Sequence, residues 1–489
     1  MNNMVIIVCY GHRTNITSWL QTDEPKPKYE YGVGIVINLK NDLYVLTCAH
    51  TVLKSTYKSV MYRYTSNKFE KIYLDLVCIA DELDLALFKL KTKSDVKGVK
   101  LCDFNKSISF SNDNIASLNA LFYKNNKTHI EINKHKYECK VTNVKIHNIE
   151  HPTMPPLPWI EIIVKDNSIY NDKKLSGLSG SSIFSNNKII GILSSSKINS
   201  KQITLIPGII VYRFISEFIK TNKYSGLCNI IAKVANCEIE TEGKKYNGIS
   251  IDDDYNINYN KGINVKNRRN LQKNDIIYKI NNKQFKKSKG KILLYDDNLS
   301  TNIPISTYIA LNYMAGDKLD LKIYRPNGAT ENLKINARSV KTATYLQIVH
   351  NYSYYNCNGM IFVELSQYMI DCYICSDIKL CNLLYKYILE TPYRDNNDKI
   401  IVLIDIIENE IPEKRLAEMK KINLPLIQIF KKDYDLMILQ KINNNKINDL
   451  SDIKKALKKS KNILCMESTN KNIKIRIEEN KIKQIEIIK

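Results

Sequence analysis

The chain has 489 residues, 44% of them hydrophobic and 25% charged, with a formal net charge of +23. That length exceeds what one hydrophobic core supports, so about two to four domains are expected, and the composition excludes a disordered or fibrous chain. The positive charge comes from lysines scattered through every segment, with no basic block interleaved with regular aromatics, so a solvated basic surface is expected and a nucleic-acid partner is not.

The first residues, MNNMVIIVCYGHRTN, lack a basic n-region and carry too short an apolar run for a secretory signal. Further on, no apolar stretch approaches the roughly 20 residues that a membrane-spanning helix needs. The 12 cysteines are dispersed rather than framed, which favours a reducing, intracellular setting, cytoplasmic, nuclear or inside a viral particle. Cys372 and Cys375 form a lone CxxC without a second ligand pair, so buried thiols are expected rather than a metal centre.

From about Tyr31 to Ile210, short β-branched and aromatic runs alternate with Asn, Asp, Lys and Ser clusters: GVGIVINL, LYVLTCA, IYLDLVCIA, LALFKL, WIEIIVK, KIIGILSS and ITLIPGIIV. Many short strands with frequent turns predict an all-β barrel or sandwich, and the length fits two barrels. Tyr212 to Lys220 then has apolar residues at helical spacing and predicts one closing helix.

About Glu240 to Val340 mixes strands with one helix. LQKNDIIYKINNKQF predicts a turn, a strand from Ile276 to Ile280 and an Asn-Asn turn, and a helix is expected just after Pro304. From Leu346 onward comes a Tyr- and Cys-rich segment, the buried-type strand IIVLIDII and a second LQKI-NN core at Leu439. The recurrence predicts a diverged internal duplication. The resulting division is 1–225 for the barrels, 235–342 for a first α+β module and 343–489 for a second.

Hydrolysing a peptide with a hydroxyl at neutral pH requires a base, a carboxylate to orient it, and amide donors for the oxyanion, and it calls for no cofactor or metal. His50 ends the strand-like run LYVLTCAH. In DELDLALFKL, both Asp81 and Asp84 precede an alternating strand that could bury a carboxylate beside an imidazole. Ser179 lies in GLSGSSIF, where Gly177 and Gly180 allow a tight turn that exposes the hydroxyl and aims the Gly177 and Ser179 amides at one point. Each residue alone has an ordinary structural reading. Their order and shared placement beside apolar strands point to a catalytic triad.

The segments GVGIVI, TCAH, DLAL, GLSGSSIF and IIGIL resemble, in order and spacing, the GxGxxI, TxAH, DLAL, GNSGGP and VxGI landmarks of trypsin-like proteases of the HtrA/Deg family. The resemblance implies a mainly β chain with a chymotrypsin-like double β-barrel of six strands each, followed by two PDZ-like domains. It selects Asp84 over Asp81, making His50, Asp84 and Ser179 base, orienting acid and nucleophile, with Gly177 and Ser179 as oxyanion donors. YNGISI resembles the carboxylate-binding YLGI loop of PDZ domains, implicating Tyr246, Asn247, Gly248 and Ile249. LQKNDIIYKINNKQF resembles the PDZ stretch LxxGDVIxxVNGxxV, and the run from Tyr295 to Pro326, with YYNCNGMIFVELS and the final LQKINNNKINDLSDIKKAL, is similar to plant-type Deg proteases with a second, atypical PDZ domain.

In trypsin-like geometry the pocket wall follows Gly191, so Ile192, Leu193 and Ser194 are expected to bind substrate and favour an apolar P1 side chain; Lys173, in the loop before Ser179, reads as solvated. Protein or peptide substrates and a trimer-based homo-oligomer are implied. Leu178, Ser181 and Ser182 depart from GNSGGP, Cys48 replaces a small residue and Asn274 stands where glycine is usual. The altered loop motivates an alternative, a latent protease-fold scaffold or chaperone-like binding protein. The stretch Asn105 to Pro158 matches the family least and reads as an insertion.

Overall fold

The computed structural model describes residues 3–12, 27–53, 58–65, 68–91, 98–107, 115–125, 130–147, 155–166, 177–197, 202–229, 234–241, 243–251, 271–339, 354–357, 360–365, 399–406, 437–457, 461–467, 472–478 and 481–488. Cys372, Cys375 and Lys173 lie outside them. The chain divides into two units, Met1–Arg13 with Pro25–Val340, and Thr14–Glu24 with Lys341–Lys489. No described helix is long and apolar enough to cross a membrane.

The first unit opens with a closed six-stranded barrel made of β1 (Met4–His12), β2 (Pro27–Leu39), β3 (Asp42–Thr47), β4 (Lys58–Thr65), β5 (Lys68–Ala80) and β6 (Leu85–Leu90). The apolar run at the start is its first strand: β1 pairs with β2 on one edge and β4 on the other, and Val5 to Cys9 are buried. A second closed barrel contains β7 (Ile115–Asn125), β8 (Ile130–His147), β9 (Leu157–Val164), β10 (Ser182–Ser185), β11 (Lys188–Lys197) and β12 (Gln202–Pro207). The weakly matching stretch is largely the long β7–β8 hairpin of this barrel. A short helix α1 (Ala49–Leu53) follows β3, and α2 (Gly208–Thr221) follows β12 directly.

Asparagine does much of the turning in a chain with only 16 glycines. Nine of the thirteen described non-glycine residues with positive φ are Asn, including Asn186-Asn187 between β10 and β11. A short polar side chain tolerates the left-handed region better than most, and tight hairpins require it. Asn274, which replaces the usual glycine, has φ 65° and so meets the same backbone demand.

Beyond α2, a sheet runs in the order Val234–Thr241, Lys244–Ile251, Ile276–Ile280, Lys318–Tyr324 and Thr330–Asn336, with α3 (Ile305–Asn312) starting directly after Pro304. Inside this module the buried Arg325 guanidinium donates to Asp275 Oδ2 at 2.7 Å. Removing one partner strands a buried charge. Arg325→Met is therefore expected to lower unfolding stability by about 3–5 kcal/mol, and adding Asp275→Asn should recover part of the loss in a denaturant titration.

The second unit is one antiparallel sheet from Tyr354–Cys357 to Lys481–Ile488, covered by α4 (Leu450–Ala456) over a core that includes Phe362, Leu403, Leu439, Ile453 and Leu464. Both units contain the same turn. Asn281 donates its amide to Asp320 O (2.8 Å) and accepts the Asp320 amide on Oδ1 (3.1 Å). Asn443 makes the matching pair with Ile463, at 2.9 and 2.8 Å. In each case the Asn-Asn residues have positive φ, and a helix and two paired strands follow. The repeated sequence is thus a repeated structural unit, in which the asparagine side chain clips the turn to the next strand.

Candidate active site

The three residues singled out from sequence meet at one place. His50 sits in α1, the single turn after β3, and Asp84 follows a 3-10 turn, Asp81–Leu83, that leads into β6. Asp84 adopts φ 54°, a left-handed conformation uncommon outside glycine and asparagine. That conformation aims the residue back at α1. Its carbonyl accepts the Ala49 amide at 3.0 Å, while Oδ1 accepts the His50 amide at 2.9 Å and lies 2.8 Å from His50 Nδ1. On the other side of the ring, His50 Nε2 is 2.9 Å from Ser179 Oγ.

Ser179 is held by both barrels. Its carbonyl accepts the Val33 amide of β2 at 2.8 Å, and the next amide, Gly180, donates to Leu193 O of β11 at 2.8 Å. Gly180 has φ 93°, and a Cβ there would fall 1.8 Å from Val33 O. Gly180→Ala is accordingly expected to cost about 3 kcal/mol or more, read as a fall in melting temperature, because backbone strain and a backbone clash coincide. Gly177 has φ 85°, and among the described residues nothing lies within 4 Å of a Cβ placed there. Among the described residues, neither the Gly177 nor the Ser179 amide donates to a protein backbone acceptor.

The departures from the GNSGGP pattern have a packing cause. Leu178, Ser181 and Ser182 are each almost fully buried, and the Ser182 hydroxyl reaches the Met4 sulfur at 3.4 Å. The buried Ser181 hydroxyl has no hydrogen-bond partner among the described residues. Cys48 is also fully buried, with its thiol donating to Leu193 O at 3.1 Å. Burial, and next the nearby Asp84 charge, push that thiol well above its ordinary range. One ligand-type atom each from Cys48, His50 and Asp84 falls within 4.8 Å of the others. The His50 and Asp84 atoms already bond to each other, and the thiol to a carbonyl.

Ile192 and Leu193, expected to bind substrate, are 0% and 1% exposed, so their side chains are buried. A register shift between Leu193 and Ser195 turns Ser194 inward, where its hydroxyl donates to Asp84 Oδ2 at 2.5 Å and its carbonyl accepts from Ser179 Oγ at 3.1 Å. Ser194 thus supports the acid, a role with no signal in sequence because it depends on a bulge. The quartet Tyr246, Asn247, Gly248 and Ile249 is not a loop. It lies mid-strand in Lys244–Ile251, paired residue for residue with Ile239, Glu238, Cys237 and Asn236. The described strands beside α3 are Lys291–Asp296, Thr301–Pro304 and Cys228–Asn229, the last of which pairs with Arg338–Ser339.

An imidazole bonded to a carboxylate on one nitrogen and to a hydroxyl on the other can accept the hydroxyl proton and hold the positive charge that results. No family model matches the chain. It is 25% identical over 377 residues to an Arabidopsis thaliana protein named "Putative protease Do-like 13", covering 75% of this chain and 69% of that one. Among solved structures it is similar to an HtrA-type protease AlgW with decapeptide, at 13% identity and TM-score 0.41 over 69% of this chain and 95% of that chain. It is also similar to a serine endoprotease from Yersinia pestis, at 13% identity and TM-score 0.39 over 70% and 95%. By its landmark order in sequence, its paired closed barrels and its Do-like relative, the chain is similar to the serine proteases of the HtrA/Deg type.

Proposed function

We propose that His50, Asp84 and Ser179 form the catalytic triad of this protease and cleave peptide bonds through an acyl-enzyme. The observation that carries the reading is the unbroken series from Ser194 through Asp84 and His50 to Ser179, each link within hydrogen-bond distance. Ser179 Oγ attacks the scissile carbonyl as its proton passes to His50 Nε2. The oxyanion is met by the Gly177 and Ser179 amides, His50 returns the proton to the leaving amine, and water then repeats the cycle on the ester. Asp84 keeps the imidazole in the tautomer that leaves Nε2 open to accept.

The sheet modules, residues 235–342 and 343–489, are read as recruiting or regulatory domains, and assembly into trimers follows from likeness to the family. Both extend the central reading without carrying it. A fluorophosphonate probe tests the centre: wild type should be labelled, with the adduct mapped by mass spectrometry to Ser179, and should digest casein. A folded wild type that takes no label and leaves casein intact would make the chain a scaffold with an unused site.

A further inference from the structure

The segment that leaves the second barrel grips the turn that carries Asp84. Tyr224 Oη donates to Glu82 Oε1 at 2.7 Å, and the Leu227 backbone also hydrogen-bonds that carboxylate. Glu82 lies in the 3-10 turn Asp81–Leu83, two residues before Asp84. The turn is held to its surroundings by Leu83, which is 1% exposed, and by the half-buried Glu82 carboxylate. A non-glycine residue held at φ 54° persists only where the neighbouring structure over-determines it.

The other end of the segment belongs to the sheet module. Arg213 and Glu217 of α2 are 4% and 1% exposed. Glu217 accepts the Ser225 amide at 2.9 Å, and Arg213 donates to Gly226 O at 3.4 Å and to Tyr313 O at 3.0 Å. Tyr313 caps the C-terminus of α3. The Tyr224 ring packs edge-on against Phe214, with the Arg213 guanidinium 5.9 Å from its centre. One residue past Leu227, the chain enters Cys228–Asn229, which pairs with Arg338–Ser339 at the module's far end. Module, Arg213, Tyr224, Glu82 and Asp84 thus form one continuous series of contacts within the first unit.

We propose that the Tyr224–Glu82 contact is a strut through which docking of the first sheet module on α2 sets the turn that positions Asp84, so that peptide hydrolysis in the barrels depends on that docking. The proposal rests on the reading of Asp84 as the orienting acid. Tyr224 and Glu82 are positioning residues and touch no substrate. A docked module holds Tyr224 Oη against Glu82. An undocked one draws the segment away, leaves the Glu82 carboxylate short of a donor and releases the turn.

The test uses the full chain. Tyr224→Phe keeps the ring packing and removes only the hydroxyl, so the fluorophosphonate inactivation rate and kcat should fall together, roughly 10- to 100-fold for a displacement of about 1 Å. KM and the melting temperature should stay near wild type. Glu82→Gln, which still offers an acceptor, should retain most activity, whereas Glu82→Ala should not. Arg213→Lys should lower kcat in the same way, and the Tyr224→Phe/Arg213→Lys double variant should be little worse than the more severe single one, because both break one series. A Tyr224→Phe enzyme that reacts at the wild-type rate, or whose active-site titration shows fewer sites of full kcat, overturns the strut and leaves the triad standing. An unreactive wild type overturns both, since there is then nothing to position.

Discussion

Ser179→Ala is expected to lower casein turnover by about 10^4- to 10^6-fold and to abolish fluorophosphonate labelling, while the melting temperature stays within a few degrees of wild type. The size follows from what is lost: the nucleophile itself goes, and only binding and the oxyanion amides are left to act on water. The small stability effect follows from the contacts. The Ser179 hydroxyl is shared between His50 Nε2 and Ser194 O, and the loop is held by backbone bonds to Val33 and Leu193 that alanine keeps. Turnover that survives the substitution beyond a hundredth of wild type would assign the nucleophile elsewhere.

Asp84→Asn is expected to cost about 10^4-fold in kcat without unfolding the barrels. The Asp84 carboxylate accepts from three donors: the His50 amide, His50 Nδ1 and Ser194 Oγ. An asparagine in its place has one oxygen and one NH2, so one of those donors must face a donor. If the ring responds by turning Nδ1 into the acceptor, Nε2 carries the hydrogen and faces Ser179 Oγ with nothing to accept its proton. Activity should therefore collapse while substrate affinity holds, and a variant that loses KM instead of kcat would argue that Asp84 shapes the cleft rather than the base.

Much of this site is legible in one dimension because each part has a local cause. An apolar strand ending at His50, a turn before the strand that starts at Leu85, and a serine between two glycines are short-range patterns. The Asn-Asn turns at Asn281 and Asn443 are equally local, since left-handed φ narrows the choice of residue at the position itself. The lysine- and asparagine-rich composition, by contrast, looks uninformative in sequence. Only with dihedral angles in hand does asparagine emerge as this chain's stand-in for glycine.

What escaped the sequence depends on pairing over distance. Met4–His12 resembles a stray apolar run until β2 and β4 flank it, and YNGISI resembles a peptide-binding loop until Val234–Thr241 pairs along its whole length. Ile192 and Leu193 read as pocket walls by position along the chain. A bulge of one residue in β11 decides which side chains enter the barrel and which meets Asp84, because successive strand residues face opposite ways.

The sequence by itself determined the order of the chemical groups, the strand-rich class and the repeated turn, all set by nearest-neighbour sterics and hydrophobic alternation. The tertiary structure sets Asp84, the residue the resemblance selected over Asp81, against the imidazole, and it alone decided that Ser194 supports Asp84 and that Tyr224 reaches Glu82. Those contacts join residues 34, 110 and 142 positions apart. Each joins segments far apart in the chain that only the folded structure brings together, so no neighbour in sequence reveals the partner.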